Sequence, residues 1–461
     1  MRKITTTHKL DTDTQDWPII LTAGVGLFLS TLDTGIINVA LPTLNRTFHV
    51  NVSVIAWTVT LYLLSLSTTI VVFGRVSDRV GRLKVYLWGL IVFAIASILS
   101  GGAVSAPQLI FFRGLQGLGA AMLQATSTAI ITTYIPQERR GTALGTLGMI
   151  LGLGPVLGPS IGGILLSFAN WRFIFWINVP ICLLGLWGTL KLMRVTAERH
   201  GRIPLNLSSD ILLGVATFGI LYGLSANSIH GFMRILPFGL FVLSLTGYIM
   251  LERRAPHPIV SLSLFRNGSF VIPIFSATVL GLATAVAFII PPYFLEQISR
   301  LVPWQVGLIN LASPLGLVIL SRISGKRIGT FGTLRLMIAG FSLMLIALAI
   351  LSAMQSNWYP ILLGALLLLY GAGAGIFVPA NLSAIMGSVG TELQGTIGAF
   401  QRMVQNIGIA IGTSVAASMI HSGLNTGTAG YMSAFREAWV FAAGAVLISL
   451  FSMGSLRLSR R

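Results

Sequence analysis

Charge is scarce in this chain. Only 9% of its 461 residues are Asp, Glu, Lys or Arg, against about a quarter in an ordinary soluble domain. That excludes a water-facing shell around a sequence that is 54% hydrophobic. Cysteine is nearly missing too. Cys182 stands alone, which excludes an intramolecular disulfide and any cysteine-based metal site. The six histidines do not cluster at metal-ligand spacing. No G-x-x-x-x-G-K-[ST] phosphate loop occurs, so ATP is not the expected energy source. The glycines around Gly119 follow no expected strand, which removes a dinucleotide-binding reading. Residues 1–16 are polar and no small-residue cleavage site follows, so the first apolar segment is expected to stay in place rather than be cut off as a signal peptide.

Long apolar runs are what the chain has instead. Runs of 18 or more residues recur along its length, each enough to cross a hydrocarbon core of about 30 Å. The expected fold class is an all-α integral membrane protein. Fourteen spans are expected, near 18–41, 53–73, 84–102, 107–132, 142–168, 173–193, 209–227, 233–251, 269–294, 303–321, 333–353, 358–379, 396–420 and 437–456. An even number puts both termini on one side. With that side inside, 23 of the 30 Lys and Arg fall in inner segments and five in outer loops, while Arg113 and Arg402 stay within spans. Such a split orients the protein with both termini cytoplasmic. The net charge of +18 therefore reads as topology, and no nucleic-acid partner is expected.

An internal repeat sets the architecture. A shift of 254 residues carries Glu138 to Glu392, Gly141-Thr142 to Gly395-Thr396, Gly154 to Gly408, Gly158 to Gly412, Gly117 to Gly371 and Gly119 to Gly373. "RVSDR" at 75–79 is similar to "RISGK" at 322–326, at a shift of 247. Six spans occupy about 200 residues, and spans seven and eight account for the excess. The expected division is a cytoplasmic tail (1–17), an N-terminal six-helix bundle (18–200), a two-helix insert (201–256), a C-terminal six-helix bundle (257–456) and a second tail (457–461). Parallel six-span halves with a binding site between them, near the midplane, characterise a large class of transporters.

The loop after span two, "GRVSDRVGRLK", fits G-x-x-x-D-[RK]-x-G-R-x-[RK] through Gly74, Asp78, Arg79, Gly81, Arg82 and Lys84. Its glycines permit tight turns. Asp78 can bind an arginine or a helix N-terminus and so latch the loop to a neighbouring helix. In the second half that position is Gly325, which weakens any latch there.

This loop resembles the signature loop of the major facilitator superfamily. "LDTGIINVALP" (32–42), "WTVTLYLLSLS" (57–67) and "RGLQGLGAA" (113–121) resemble motifs of its drug:proton antiporters. "GLGPVLGPSIGG" (152–163) is similar to the glycine-proline motif linked there to antiport, and "NWRFIFWINVP" (170–180) to the opening of span six in the fourteen-span branch, the DHA2 family. The resemblance implies a major facilitator fold of two six-helix bundles with an inserted hairpin. It implies proton-coupled multidrug efflux from a bacterium across its cytoplasmic membrane, with amphiphilic, cationic or neutral substrates. No cofactor is expected, a proton gradient being the energy source, and no enzymatic activity. A monomer is expected. The competing expectations are a dedicated exporter of one metabolite, lipid or siderophore, and a membrane scaffold or sensor that transports nothing.

A charged side chain at bilayer depth costs at least about 2.5–3.5 kcal/mol. Asp33 is the one acidic residue placed well inside an expected span. It and Arg113 lie at similar depth, roughly 9–12 Å from the outer edge at 1.5 Å per residue. They are therefore expected to pair, either as a static clamp or as a proton-coupling site. A carboxylate whose surroundings alternate between wet and dry can load and release a proton. Span five carries glycines mostly four apart, with Pro155 and Pro159 among them. That pattern gives a flat face for close helix packing, so Gly154, Pro155, Gly158 and Pro159 join the loop residues as expected conformational gates. Tyr62, Gln116, Gln124, Phe288, Tyr293, Tyr370, Gln401, Arg402 and Gln405 supply the aromatic and polar groups of an expected substrate cavity. Arg402 has two candidate partners, an anionic substrate or Glu437.

Overall fold

The computed structural model describes residues 16–196, 207–225, 235–254, 262–390, 393–423 and 427–459. The chain runs through α1 (Asp16–Phe48), α2 (Val52–Ile55), α3 (Trp57–Val80), α4 (Arg82–Gly101), α5 (Ala106–Tyr134), α6 (Gln137–Phe168), α7 (Phe173–Trp176) and α8 (Asn178–Val195). It continues through α9 (Leu207–Ser225), α10 (Leu236–Arg254), α11 (Gly268–Tyr293), α12 (Pro303–Asn310), α13 (Ala312–Phe331), α14 (Thr333–Ser352), α15 (Pro360–Gly387), α16 (Gln394–Gly423) and α17 (Gly427–Ser459). No strand occurs among the described residues. Helices satisfy every backbone group within themselves, which a hydrocarbon solvent demands. Burial is inverted relative to a soluble protein. Leu184, Leu243, Ile361 and Phe451 are exposed, while Asp33, Arg113, Gln116 and Asn178 are buried.

The expected count of fourteen spans needs correction. Among the described residues, eleven helices are long and apolar enough to cross a membrane, and a shorter apolar helix covers Ser208–Leu224. The helix α5 falls outside that set because Arg113, Gln116, Gln124 and a run of hydroxyl residues dilute its apolar character. Four residues of α6 (155, 156, 159 and 160) have side chains outside the described set. The first 15 residues of the expected N-terminal tail, most of the segment between α8 and α9, and residues 460–461 also lie outside it.

The sequence repeat reappears as packing. Gly117 and Gly371 press on α3 and α13, where a Cβ would strike the carbonyls of Tyr62 and Ser313. Gly119 and Gly373 press on α4 and α14, against Phe93 and Met344. Gly158 and Gly412 press on α1 and α11, at Gly35 and Leu282. Each repeat-related pair thus meets repeat-related helices. The breaks between α3 and α4 and between α13 and α14 match as well. Gly81 (φ 119°) and Gly332 (φ 77°) both occupy the left-handed region that a side chain disfavours.

The two sets of helices meet along two seams. In one, α3 lies against α16; in the other, α13 lies against α6. The α6–α13 seam is close because glycines face glycine. A Cβ at Gly145 would stand 3.1 Å from the Cα of Gly325, and one at Gly141 2.6 Å from its carbonyl oxygen. The helices α9 and α10 pack on each other, and α9 also touches both α3 and α16. It is tied to α3 by a buried ion pair, Arg75 Nη1 to Asp210 Oδ1 at 2.9 Å. On its other side Thr217 Oγ1 donates to the sulfur of Met403 on α16 at 3.2 Å.

Candidate functional site

The centre of the first set is built around Asp33, midway along α1. Arg113 Nη1 donates to Asp33 Oδ2 at 2.6 Å. Gln116 Nε2 and Asn178 Nδ2 donate to Oδ1 at 2.9 and 3.0 Å. Arg113 and Gln116 stand three apart on α5, one turn of the same face, and Arg113 Nη1 also donates to Gln116 Oε1 at 2.5 Å. Arg113 Nε reaches the carbonyl of Thr58 on α3 at 3.0 Å. Gln116 Nε2 reaches Ser97 Oγ on α4 at 3.0 Å. The guanidinium lies 4.4 Å from the centre of the Tyr62 ring, a cation–π distance. Asp33 is 2% exposed and Arg113, Gln116 and Asn178 are fully buried.

Five helices, α1, α3, α4, α5 and α8, are therefore joined in one network around the carboxylate, with α5 and α8 bonding it directly. Every hydrogen bond to it comes from a donor. A proton added to Asp33 removes the charge that Arg113 pairs with, so protonation and the network are linked. Asn178 Oδ1 and Arg113 Nη2 are buried with no hydrogen-bond partner. They are spare capacity for a rearranged network. Removing one partner of a buried ion pair costs about 3–5 kcal/mol, because the other charge is left uncompensated.

Asp78 occupies the end of α3. Its carboxylate accepts from the backbone N–H of Gly395 at 3.0 Å and from the N–H and hydroxyl of Thr396 at 2.7 and 2.8 Å. Those groups open α16, where the first N–H groups lack intrahelical acceptors and the helix dipole favours an anion. Arg82 pairs with the same carboxylate at 3.1 Å. Gly74 allows the approach, since a Cβ there would stand 2.8 Å from the Gly395 carbonyl. Arg79 is exposed at the end of α3.

Gly154 and Gly158 face inward to their own set. They lie against Thr31, Leu32 and Gly35 of α1, the turn that carries Asp33. Contact with the other set is made earlier on α6, by Gly141, Gly145 and Gly152. The side chains of Pro155 and Pro159 lie outside the described residues.

The nine residues expected to line one cavity separate. Tyr62 and Gln116 belong to the Asp33 network. Gln124 Nε2 donates to Ser30 Oγ, one turn from Asp33, at 3.1 Å. Phe288 and Tyr293 are 41% and 44% exposed. Tyr370 is buried, its hydroxyl 3.2 Å from that of Thr284. Gln401, Arg402 and Gln405 do stay together on α16. Gln401 Nε2 and Arg402 Nη1 both donate to Gln405 Oε1, at 3.1 and 3.3 Å. They border a narrow cleft with Asn381, Leu280, Val378 and Leu382. Glu437 is exposed and accepts from Ser433 instead of meeting Arg402.

Asn178, Thr58, Ser97 and the buried acids Asp210 and Glu252 are not singled out by sequence. Asn178 offered a signal, an amide inside "FIFWINVP", a stretch otherwise apolar. Asp210 and Glu252 sit at the edges of expected spans, where a charge draws no notice.

A sheaf of apolar helices in two like-packed sets, with a buried ion pair in one of them, defines a multi-pass membrane transporter. Residues 23–413 match the family model of the Major Facilitator Superfamily, and the chain belongs to that family. Its members are transporters rather than enzymes and work without a cofactor. The chain is 29% identical to the riboflavin transporter RibZ of Clostridioides difficile (strain 630) over 95% of its own length and 96% of that protein. It is 28% identical to the multidrug resistance protein Stp of Mycobacterium tuberculosis (strain CDC 1551 / Oshkosh), covering 88% of this chain and 76% of that one. The human organic anion transporter MFSD10 (TETRAN) shares the fold, with a TM-score of 0.68 at 17% identity over 95% of this chain and 99% of the other.

Proposed function

We propose that this protein is a proton-coupled exporter of small amphiphilic molecules, a drug:proton antiporter working by alternating access. The observation that carries the reading is the Asp33 centre, a buried carboxylate that accepts from Arg113 and Gln116 of α5 and from Asn178 of α8. Proton entry from outside neutralises Asp33 and releases Arg113. Helix α6 rests on the Asp33 turn of α1 through Gly154 and Gly158, and on α13 through Gly145. It therefore carries a change at Asp33 to the seam between the halves. Asp78 and Arg82, with Gly74 and Gly81, act as a latch that holds one end shut.

The finer assignments belong to the same proposal. The chain belongs with the DHA2 branch and divides into bundles at 18–200 and 257–456, an insert at 201–256, and tails at 1–17 and 457–461. It sits as a monomer in a bacterial cytoplasmic membrane with both termini inside, and its substrates are cationic or neutral. A second reading, a dedicated exporter of one metabolite, draws support from the riboflavin transporter, which is similar over nearly the whole chain.

The test is transport in proteoliposomes under an imposed pH gradient, with a panel of cationic, neutral and anionic compounds. Asp33→Asn is expected to abolish uphill, proton-driven export while leaving the folded protein intact. Wild-type rates in Asp33→Asn vesicles of equal protein content would sink the proposal. Efflux of a single compound from the panel would select the second reading.

A further inference from the structure

The second half has no counterpart of the Asp33 centre. The 247-residue shift that relates the opening helices of the two halves carries Asp33 to Leu280, and the 254-residue shift carries Gln116 to Tyr370. Polarity in this half sits elsewhere, on α15 and α16, around a cleft that Leu280 itself helps to line. Three atoms there are buried with no hydrogen-bond partner: Arg402 Nε, Gln401 Oε1 and Asn381 Oδ1. Their residues are 7%, 4% and 2% exposed. Orphaned polar atoms at such depth cost about 1–3 kcal/mol each, and three around one cleft point to a group that satisfies them together.

Their chemistry narrows that group. Arg402 Nε can only donate. The orientation of Gln401 is fixed by its neighbour, because Gln405 Oε1 takes hydrogen bonds from both Gln401 Nε2 and Arg402 Nη1. Gln401 therefore presents its oxygen, an acceptor. A carboxylate would satisfy Arg402 and face acceptor oxygens from Gln401 and Asn381. An ammonium group would satisfy those oxygens and meet the guanidinium. A carbonyl beside an N–H satisfies all three.

The geometry points to a cargo anchor at this cleft: Arg402, Gln401 and Asn381 bind the amide, ureide or imide edge of a planar, otherwise apolar molecule. The cleft holds about 10 Å³, the room of one water molecule. The carbonyl–N–H edge enters it, and the ring lies over Leu280, Val378 and Leu382. The inference rests on the reading of the chain as an exporter, whose cargo it narrows to neutral molecules with a paired acceptor and donor.

The test is equilibrium binding to the full-length protein in lipid nanodiscs, with no gradient. The probes are lumiflavin and 1,8-naphthalimide, each beside its imide N-methyl derivative. At least one N–H compound is expected to bind about ten-fold more tightly than its methylated partner, the worth of one buried hydrogen bond. Gln401→Leu and Asn381→Leu should shrink that ratio towards one, while Arg402→Met weakens both members of the pair. Because methylation alters the ligand, the central comparison does not depend on any variant folding. Equal binding of every pair, or no binding, would overturn the proposal and leave the three atoms to a water. Binding confined to carboxylate dyes, dependent on Arg402 alone, would overturn it in favour of an anion site. Loss of proton-driven export would undo the transport reading without touching the binding result.

Discussion

The two seams between the halves share one packing plan and solve it with different chemistry. At the α3–α16 seam, Asp78 receives two backbone N–H groups and a hydroxyl from the start of α16. At the α6–α13 seam, the related position is Gly325, which lies against Gly141 and Gly145 with nothing between but backbone. The reason is where the receiving helix begins. Helix α16 starts at Gln394, so the N–H groups of Gly395 and Thr396 fall in its first turn and lack intrahelical acceptors. Helix α6 starts at Gln137, one turn earlier relative to the repeat, so the N–H of Gly141 is already used inside the helix. An aspartate caps a helix that offers free donors. Where none are free, two glycines achieve closeness instead.

Three substitutions break or sharpen this contrast. Asp78→Ala should have the largest effect. It strands three donors and Arg82, at about 1–3 kcal/mol for each unmet buried group. Spin labels at the facing ends of α3 and α16 should move apart, and export should fall at least about ten-fold (1.4 kcal/mol per decade). Unchanged label distances would mean that the carboxylate is not the latch. Gly325→Asp comes next. If a free helix start is what matters, transplanting the acid builds no second latch. Its Cβ strikes the Gly141 carbonyl and pries α13 from α6, so label distances across that seam should lengthen. A shortened distance would refute the explanation from helix starts. Ser67→Ala should be smallest. It removes one cross-seam hydrogen bond, from Asn406 Nδ2 at 3.1 Å, and should lower the Tm by a few degrees, in keeping with about 1 kcal/mol.

Much of this was legible in the sequence where the signal depends on distance along a helix. Helical rise placed Asp33 and Arg113 at one depth, and they touch. The offset glycines announced the doubled packing before any helix was placed against another. The anchorage of Asp78 followed from its charge and its loop. What sequence did not carry is rotation about each helix axis. Gln116 is expected among the cavity residues, and the structure turns it to Asp33, because its face of α5 is shared with Arg113. The exposure of Phe288 and Tyr293 is likewise set by rotation about α11. Neutral polar residues such as Asn178, Thr58 and Ser97 are common enough in spans that only the convergence of five helices shows their use. Fourteen apolar spans were expected where eleven long ones and a shorter one are found among the described residues. The reason at α5 is that the helix bearing the buried network is itself too polar to look like a span.

The Arg75–Asp210 tie and the contact of Thr217 with Met403 put α9 across the α3–α16 seam. The α6–α13 seam is bridged by the first turn of α1, where Asp16 pairs with Arg139 of α6 at 3.0 Å and the Arg322 guanidinium of α13 lies 5.5 Å from the Trp17 ring. The two flanks are therefore closed unequally, one along a whole helix and the other by a single turn at one end.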